Sequence, residues 1–342
     1  MKSVVVTRPG ELEVKEVAKP VPSPYQALVK TEMVALCNST DSKLLNGHFP
    51  GVDTYPLALG HETVGIVEAV GSKVESFKPG DRVIGGLNDF GNELAAGWGG
   101  FSEYVIANDH DVMVKEGIAD EAHGWANCFE IQNAIPASVP AEEGVLACTW
   151  REVLGSFKEF GLQPGKKILV FGAGPVGLSF VKLGSLFGLS QIDIVDREPA
   201  KLEVAKSMGA LNTYLSAEVE RQEFLTSRAR SYDTVIDAVG LESIVNNALE
   251  LVKFAGDVCV YGVMTKNPLF EISRAPLNFN LHMHQWPTRS EERRSMGLLA
   301  EWIESGKLKA EEFVSHRFKI SEITEAFEAV RRNKAIKVTL TF

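Results

Sequence analysis

The side chains able to do chemistry in this chain fall into two groups. The first centres on Gly60-His61-Glu62, set in a β-rich stretch between Leu57-Ala58-Leu59 and Thr63-Val64-Gly65. Cys37 lies upstream in Leu36-Cys37-Asn38-Ser39-Thr40-Asp41, and Cys148 downstream in Leu146-Ala147-Cys148-Thr149. A catalytic zinc ion wants three protein ligands of cysteine, histidine or carboxylate type and one open position for water or substrate. Cys37, His61 and Cys148 supply that set in type, although spacing along the chain does not establish that they converge. Each also has a plainer role, since a solitary buried cysteine usually serves as a small hydrophobe and a His-Glu pair often belongs to the surface.

The second group is Gly172-Ala173-Gly174-Pro175-Val176-Gly177, which matches the G-x-G-x-x-G pattern of dinucleotide-binding turns. Tight glycine turns also occur for structural reasons alone, so context decides. Here a strand candidate precedes the turn, a helix candidate follows, and an acidic residue, Asp196, closes the next strand. Gly172 permits the tight turn, Gly174 lets backbone amides approach a pyrophosphate, and Gly177 allows close packing of helix on sheet. The helix start at Pro175 and Val176, with its dipole and the free amides from Val176 onward, then holds the anion. Asp196 stands where a carboxylate accepts the adenosine ribose hydroxyls and repels a 2′-phosphate, so NAD is favoured over NADP. Arg197, beside it, could attract that phosphate.

The elements that must position these groups change in texture along the chain. Gln26–Met33, Thr63–Val70 and Ser102–Ala107 are strand candidates rich in Val, Ile, Ala and aromatics, separated by glycine and proline, and suggest a compact barrel-like β-domain. After Pro164-Gly165 strands alternate with helices, as in parallel βαβ units. Ile168–Phe171, Gln191–Val195, Tyr232–Ala238 and Asp257–Gly262 read as strands, and Val176–Phe187, Pro199–Met208 and Leu241–Val252 as helices. Ser290–Glu304 reads as helical, and Ile323–Arg332 carries a helical apolar period at Ile323, Ala326, Phe327 and Val330.

Composition sets the outer limits. A chain of 342 residues with 45% hydrophobic and 23% charged residues has material for two soluble domains. A formal net charge of -10 argues against a nucleic-acid partner, which calls for a basic face. The N-terminus lacks the apolar core of a signal peptide, and no apolar run reaches the ~18 residues of a membrane helix. The four cysteines, Cys37, Cys128, Cys148 and Cys259, are scattered as thiols rather than framed as disulfides, and the expected location is cytoplasmic.

The chain resembles the zinc-containing medium-chain dehydrogenase/reductases, the superfamily of alcohol, sorbitol and threonine dehydrogenases. The likeness covers nearly the whole chain. It rests on Cys37 with Ser39 and Asp41, Leu59-Gly60-His61-Glu62-Thr63-Val64-Gly65, Pro79-Gly80-Asp81-Arg82-Val83, Gly99-Gly100-Phe101-Ser102-Glu103-Tyr104-Val105, Pro164-Gly165, the glycine fingerprint and Ser315-His316-Arg317-Phe318. The resemblance implies an α/β protein with a GroES-like catalytic domain over residues 1–145, completed by 287–342, and a Rossmann doubly wound parallel-sheet domain over 146–286. It implies one catalytic zinc held by Cys37, His61 and Cys148, with Glu62 beside the metal as transient ligand or charge-tuning partner. Ser39 matches the hydroxyl that hands the alcohol proton onward. Arg317 falls where relatives contact the cofactor, and Gly262-Val263 where the chain passes the nicotinamide ring. The implied activity is hydride transfer between a secondary alcohol of polyol or sugar type and NAD, in a homodimer or homotetramer. A zinc-free enoyl or quinone reductase and a non-catalytic NAD-binding protein are the rival readings.

The sequence departs from the family pattern in three places. Gly85–Gly100 holds none of the closely spaced cysteines that bind a structural zinc in many relatives, so no structural zinc is expected. Ser42 replaces the histidine that ends the proton relay in some of them. Lys115–Ile135, with His123, Cys128 and Glu130, is longer than the usual connection and is expected to form a surface or interface loop rather than a cover for the active site. His282 and His284 share a face if they lie on a strand, where an edge or subunit contact is expected in preference to a second metal. Trp98 and Trp286 could line a pocket, though packed aromatics are the commoner outcome.

Overall fold

The computed structural model describes residues 1–264, 267–333 and 335–342. Two compact units emerge, Met1–Cys148 with Met296–Phe342 and Thr149–Ser295. The expected domain limits at 145/146 and 286/287 lie three and nine residues before these divisions, both of which fall inside helices, Ala141–Glu159 and Arg289–Glu304. Among the described residues no helix is long and apolar enough to cross a membrane.

The first unit is β-rich. Its larger sheet runs in the order Val314–Lys319, Lys337–Thr341, Gln26–Leu36, Thr63–Val70, Arg82–Ile84, Asn133–Ile135, with Tyr104–Asn108 also paired to Gln26–Leu36. A second sheet joins Glu11–Glu16, Lys2–Arg8, Leu57–Ala58 and Ala95–Ala96. Between them lies an apolar core that includes Val4, Val34, Leu36, Leu57, Leu59 and Phe101, closed by Ile323, Ala326 and Phe327 from the helix Ile323–Arg331. The period read at Ile323, Ala326 and Phe327 is thus the buried stripe of that helix.

Two registers in the larger sheet position its chemistry. Antiparallel pairing of Val34 with Thr63 brings the chain just beyond Leu36 to the same end as the chain just before Thr63. Antiparallel pairing of Val338 with Leu36 sets Lys337 at that end as well. Cys37, His61, Glu62 and Lys337 are therefore neighbours by strand register, although they span most of the sequence.

The second unit is a six-stranded, all-parallel sheet in the order Asn212–Leu215, Gln191–Asp196, Lys167–Phe171, Tyr232–Asp237, Val252–Val260, Phe279–Met283. In chain order this is 3-2-1-4-5-6, the doubly wound arrangement that the family resemblance implies. Lys167–Phe171 is buried on both faces after its first residue, as a central parallel strand must be. The helix Pro175–Phe187 begins with proline in its first turn and ends at Gly188 with φ 94°. Lys115–Ile135 forms the end of the helix His110–Lys115, two short 3-10 turns at Glu121–His123 and Asn127–Ile131, and the strand Asn133–Ile135.

Candidate functional site

Cys37, His61 and Glu62 each offer a ligand atom within 4.8 Å of the others, and they are the only such group of three or more among the described residues. Thiolate, imidazole and carboxylate together are a zinc-type donor set, so the residues present fit the ion that the sequence implies. Their supports are built into the same fold. The buried Asp41 accepts the backbone N–H of Cys37 through Oδ2 at 2.9 Å and faces His61 Nδ1 through Oδ1 at 3.4 Å. A carboxylate behind a ligating imidazole fixes its tautomer and ring orientation. Burial alone would lower the pKa of His61; Asp41 and then Cys37 outweigh it and raise it well above the usual value. Metal binding at His61 must therefore displace a well-held proton.

Glu62 is buried, and its partner is the equally buried Lys337, whose Nζ donates to Oε1 at 2.7 Å and lies 2.6 Å from Oε2. Burial would depress the pKa of this lysine, but Glu62, followed by Cys37 and Asp41, holds it above the usual range. The two groups compensate each other inside the protein; either partner without the other would be an uncompensated buried ion.

Cys148 is the expected ligand that the structure does not bring into this cluster. It is buried on the helix Ala141–Glu159, and its Sγ donates to the backbone carbonyl of Thr63 at 3.7 Å, beside Glu62. Ser39 precedes the short helix Thr40–Leu45 and makes no capping bond through its side chain. Lys337 was not recognised from sequence. The signal was present in a cationic residue inside an apolar, strand-forming C-terminus, but only the register with Leu36 shows what it meets.

The dinucleotide turn of the second unit can be tested glycine by glycine. A Cβ on Gly177 would stand 1.7 Å from the Gly172 carbonyl oxygen, and one on Gly172, where φ is 99°, would stand 2.7 Å from Val239 Cγ2. At Gly174, the residue before the helix, an added Cβ meets nothing within 4 Å. Two of the glycines are thus demanded by packing, while the third leaves open space at a helix N-terminus whose first amides have no partner within the helix. Such a cradle fits a pyrophosphate. Asp196 ends its strand and accepts from Ala173 N at 2.6 Å and from Glu198 N at 2.9 Å, which ties the second strand to the turn. Arg197 is exposed. Gly262 packs so tightly that a Cβ would stand 2.1 Å from Gly240 N, and Val263 passes the same loop. The buried Asp237 organises that loop by accepting from Val239, Gly240 and Leu241.

The remaining candidates have structural partners. Arg317 is mostly exposed and makes a two-pronged ion pair with Glu142 at 2.7 and 2.8 Å. His282 and His284 lie on the edge strand Phe279–Met283 and just beyond it, paired with Asp257 at 3.1 Å and Glu159 at 2.8 Å. His123 pairs with Asp120 at 2.8 Å, an exposed contact.

Residues 23–117 match the family of alcohol dehydrogenase GroES-like domains, and residues 175–300 match the family of zinc-binding dehydrogenases. The chain is 25% identical to D-arabinitol dehydrogenase 1 of Uromyces fabae, covering 99% of this chain and 97% of that one. It is 27% identical to a D-xylulose reductase of Saccharomyces cerevisiae, covering 96% and 93%. Among solved structures, an alcohol dehydrogenase from Thermus sp. ATN1 matches with a TM-score of 0.79 at 27% identity, over 100% of this chain and 99% of that one.

Proposed function

Because this chain belongs to the zinc-containing medium-chain dehydrogenase/reductases, we propose that it oxidises a secondary alcohol of the polyol class with NAD. The observation that carries this reading is the cluster of Cys37, His61 and Glu62, backed by Asp41 and Lys337, in a chain that also holds the open cradle at Gly174. The polyol class is favoured by the names of the relatives, an arabinitol dehydrogenase and a xylulose reductase. When bound, the zinc ion supplies Lewis acidity toward the substrate oxygen and the dinucleotide accepts the hydride.

The chain's own residues do the rest. Cys37 and His61 hold the ion, and Asp41 keeps the imidazole in the ligating tautomer. Cys148, whose thiol donates to the Thr63 carbonyl, would complete the set by giving up that proton and turning toward the other ligands. Glu62 stands beside the ligands, paired with the buried Lys337. Ser39 relays the hydroxyl proton, passing its own onward toward solvent as it accepts that of the substrate. In the second unit, the first amides of the helix Pro175–Phe187 bind the pyrophosphate, and Asp196 accepts the ribose hydroxyls and disfavours a 2′-phosphate. Gly262 and Val263 shape the passage for the nicotinamide. Arg317 would have to leave Glu142 to reach the cofactor. The unpaired edge of Phe279–Met283 is the natural seam for a homodimer or homotetramer.

The test is NADH absorbance with polyols, sugars, amino alcohols and simple alcohols, run on protein of measured metal content. Polyol-dependent NADH formation that disappears on metal removal and returns with zinc is expected. Full activity in stripped protein would overturn the zinc assignment. Dinucleotide binding with no turnover on any alcohol would support a non-catalytic protein.

A further inference from the structure

Two buried ionisable side chains that serve neither the ligand cluster nor the glycine turn meet where two helices cross in the second unit. Arg151, on the helix Ala141–Glu159, is 2% exposed, and Glu292, on the helix Arg289–Glu304, is 0% exposed. Arg151 Nε lies 2.9 Å from Glu292 Oε1. One turn further on the helices touch at backbone distance: a Cβ at Gly155 would stand 3.0 Å from Glu292 N and 3.0 Å from Pro287 Cγ. Apolar residues could pack this contact as well, since replacing a buried ion pair by apolar groups is often neutral or stabilising. What they would not supply is direction.

The pair opens a chain of contacts that ends at the nicotinamide passage. Glu292 presents its other oxygen, Oε2, to Arg289 Nη1 at 2.6 Å. The same Nη1 lies 3.8 Å from Glu152 Oε1, and Glu152 Oε2 accepts from the Tyr261 hydroxyl at 3.3 Å. Tyr261 is buried, stands edge-on to Phe180 at 5.7 Å and 86°, and immediately precedes Gly262 and Val263. The backbone amides of Tyr261 and Gly262 both donate to the Asp237 carbonyl at 2.9 Å. The main chain entering the passage is thus held by the end of the strand Tyr232–Asp237, and the Tyr261 side chain by Glu152 of the helix.

We propose that Glu152, oriented by Arg289 and the buried Arg151–Glu292 pair, is the positioning residue that holds Tyr261 and so sets Gly262 and Val263 against the nicotinamide. This rests on the dinucleotide reading above. Under that reading the pyrophosphate and adenosine are bound by the glycine turn and Asp196, and only the nicotinamide end meets the stretch after Tyr261. Loosening Tyr261 therefore weakens one end of the cofactor's binding and spares the other.

The experiment measures affinity for NADH, by its fluorescence, and for ADP-ribose, by displacement of NADH. ADP-ribose carries the adenosine and pyrophosphate but no nicotinamide. Wild type is compared with Glu152→Ala, Glu152→Gln and the double variant Arg151→Met with Glu292→Met. Glu152→Ala should weaken NADH by about 10-fold, the scale of one lost hydrogen bond in a buried site, and ADP-ribose by less than about 2-fold. Glu152→Gln keeps an acceptor for the Tyr261 hydroxyl and should stay within about 3-fold of wild type for both ligands. The double variant exchanges the ion pair for apolar side chains, so it should unfold in urea at the wild-type midpoint or above and still lose NADH affinity selectively. A parallel fall for both ligands, or unchanged NADH affinity in Glu152→Ala, would overturn the proposal, whether or not the double variant folds. A folded double variant with wild-type NADH affinity would overturn it as well. A wild type that binds neither ligand defeats the dinucleotide reading itself. One that binds both yet oxidises no alcohol defeats the dehydrogenase reading and leaves the role of Glu152 standing.

Discussion

The glycine turn of the second unit is made by one continuous stretch of chain, whereas the ligand cluster of the first is gathered from three. In the turn, Gly177 is fixed by the Gly172 carbonyl within six residues, Gly172 also faces Val239, Gly174 is left open, and Asp196 at the end of the next strand ties the turn in place. In the cluster, Cys37 with Asp41, then His61 with Glu62, and finally Lys337 meet only because two antiparallel registers place them at one end of a sheet. The turn works by what it leaves out, namely side chains near an anion site. The cluster works by concentrating charge, and each buried ion there depends on another for compensation. The first design should fail locally and sterically, the second electrostatically and at a distance.

The largest effect should come from the cluster's ligands. Cys37→Ser or His61→Ala should reduce alcohol-dependent NADH formation by on the order of 10³-fold or more, since a Lewis acid contributes several kcal/mol to such a step. Dinucleotide binding, followed by NADH fluorescence, should persist, because the turn is a separate device. Joint loss of metal and dinucleotide binding would break the distinction between the two regions.

Next in size is Lys337→Met, which leaves Glu62 buried without its counter-ion. Removing one partner of a buried pair costs about 3–5 kcal/mol, so metal-free protein should lose that much stability in urea unfolding. Zinc brings positive charge back to Glu62 and should restore part of it. An unchanged unfolding midpoint for the metal-free variant would show that Glu62 does not rely on the lysine.

These two regions also differ in how far they could be read from sequence. The glycine spacing, the strand before it, the helix after it and Asp196 are all local, and the sheet is parallel as the alternation implied. Cys37, His61 and Glu62 were legible as types and now stand together. Lys337 was not, because its meaning lies in a pairing with Leu36 across some 300 positions, and no local pattern carries that. The placement of Cys148 was equally hidden: the sequence offers a thiol, and only packing shows it bonded to the Thr63 carbonyl rather than within the cluster.

A smaller effect is expected from Gly177→Ala. The new methyl would overlap the Gly172 carbonyl oxygen at 1.7 Å, so helix and turn must separate. Overpacking of this kind costs about 1–3 kcal/mol, and the displaced helix start should bind NAD more weakly while zinc content stays at the wild-type level. Gly174→Ala is the informative contrast. Its methyl meets no protein atom within 4 Å, so stability should hold and only dinucleotide affinity should fall. Equal destabilisation by both would mean that the open space at Gly174 is not reserved for a ligand.

The finest test separates the two jobs of Asp196. Its carboxylate ties the strand to the turn through Ala173 N and Glu198 N, and under the proposed function it also meets the ribose hydroxyls. Asp196→Asn keeps one carbonyl oxygen that can accept from either amide but removes the negative charge. If charge excludes the 2′-phosphate, the ratio of kcat/KM for NAD to that for NADP should fall by about tenfold, a change of ~1.4 kcal/mol. The neighbouring Arg197 is exposed and able to receive that phosphate once the repulsion is gone, so adding Arg197→Ala should reverse most of the gain for NADP. If Asp196 acts only as a brace, NAD and NADP will lose affinity together and the second substitution will change nothing. The two outcomes differ in the sign of the NADP response, which steady-state kinetics with both cofactors measures directly.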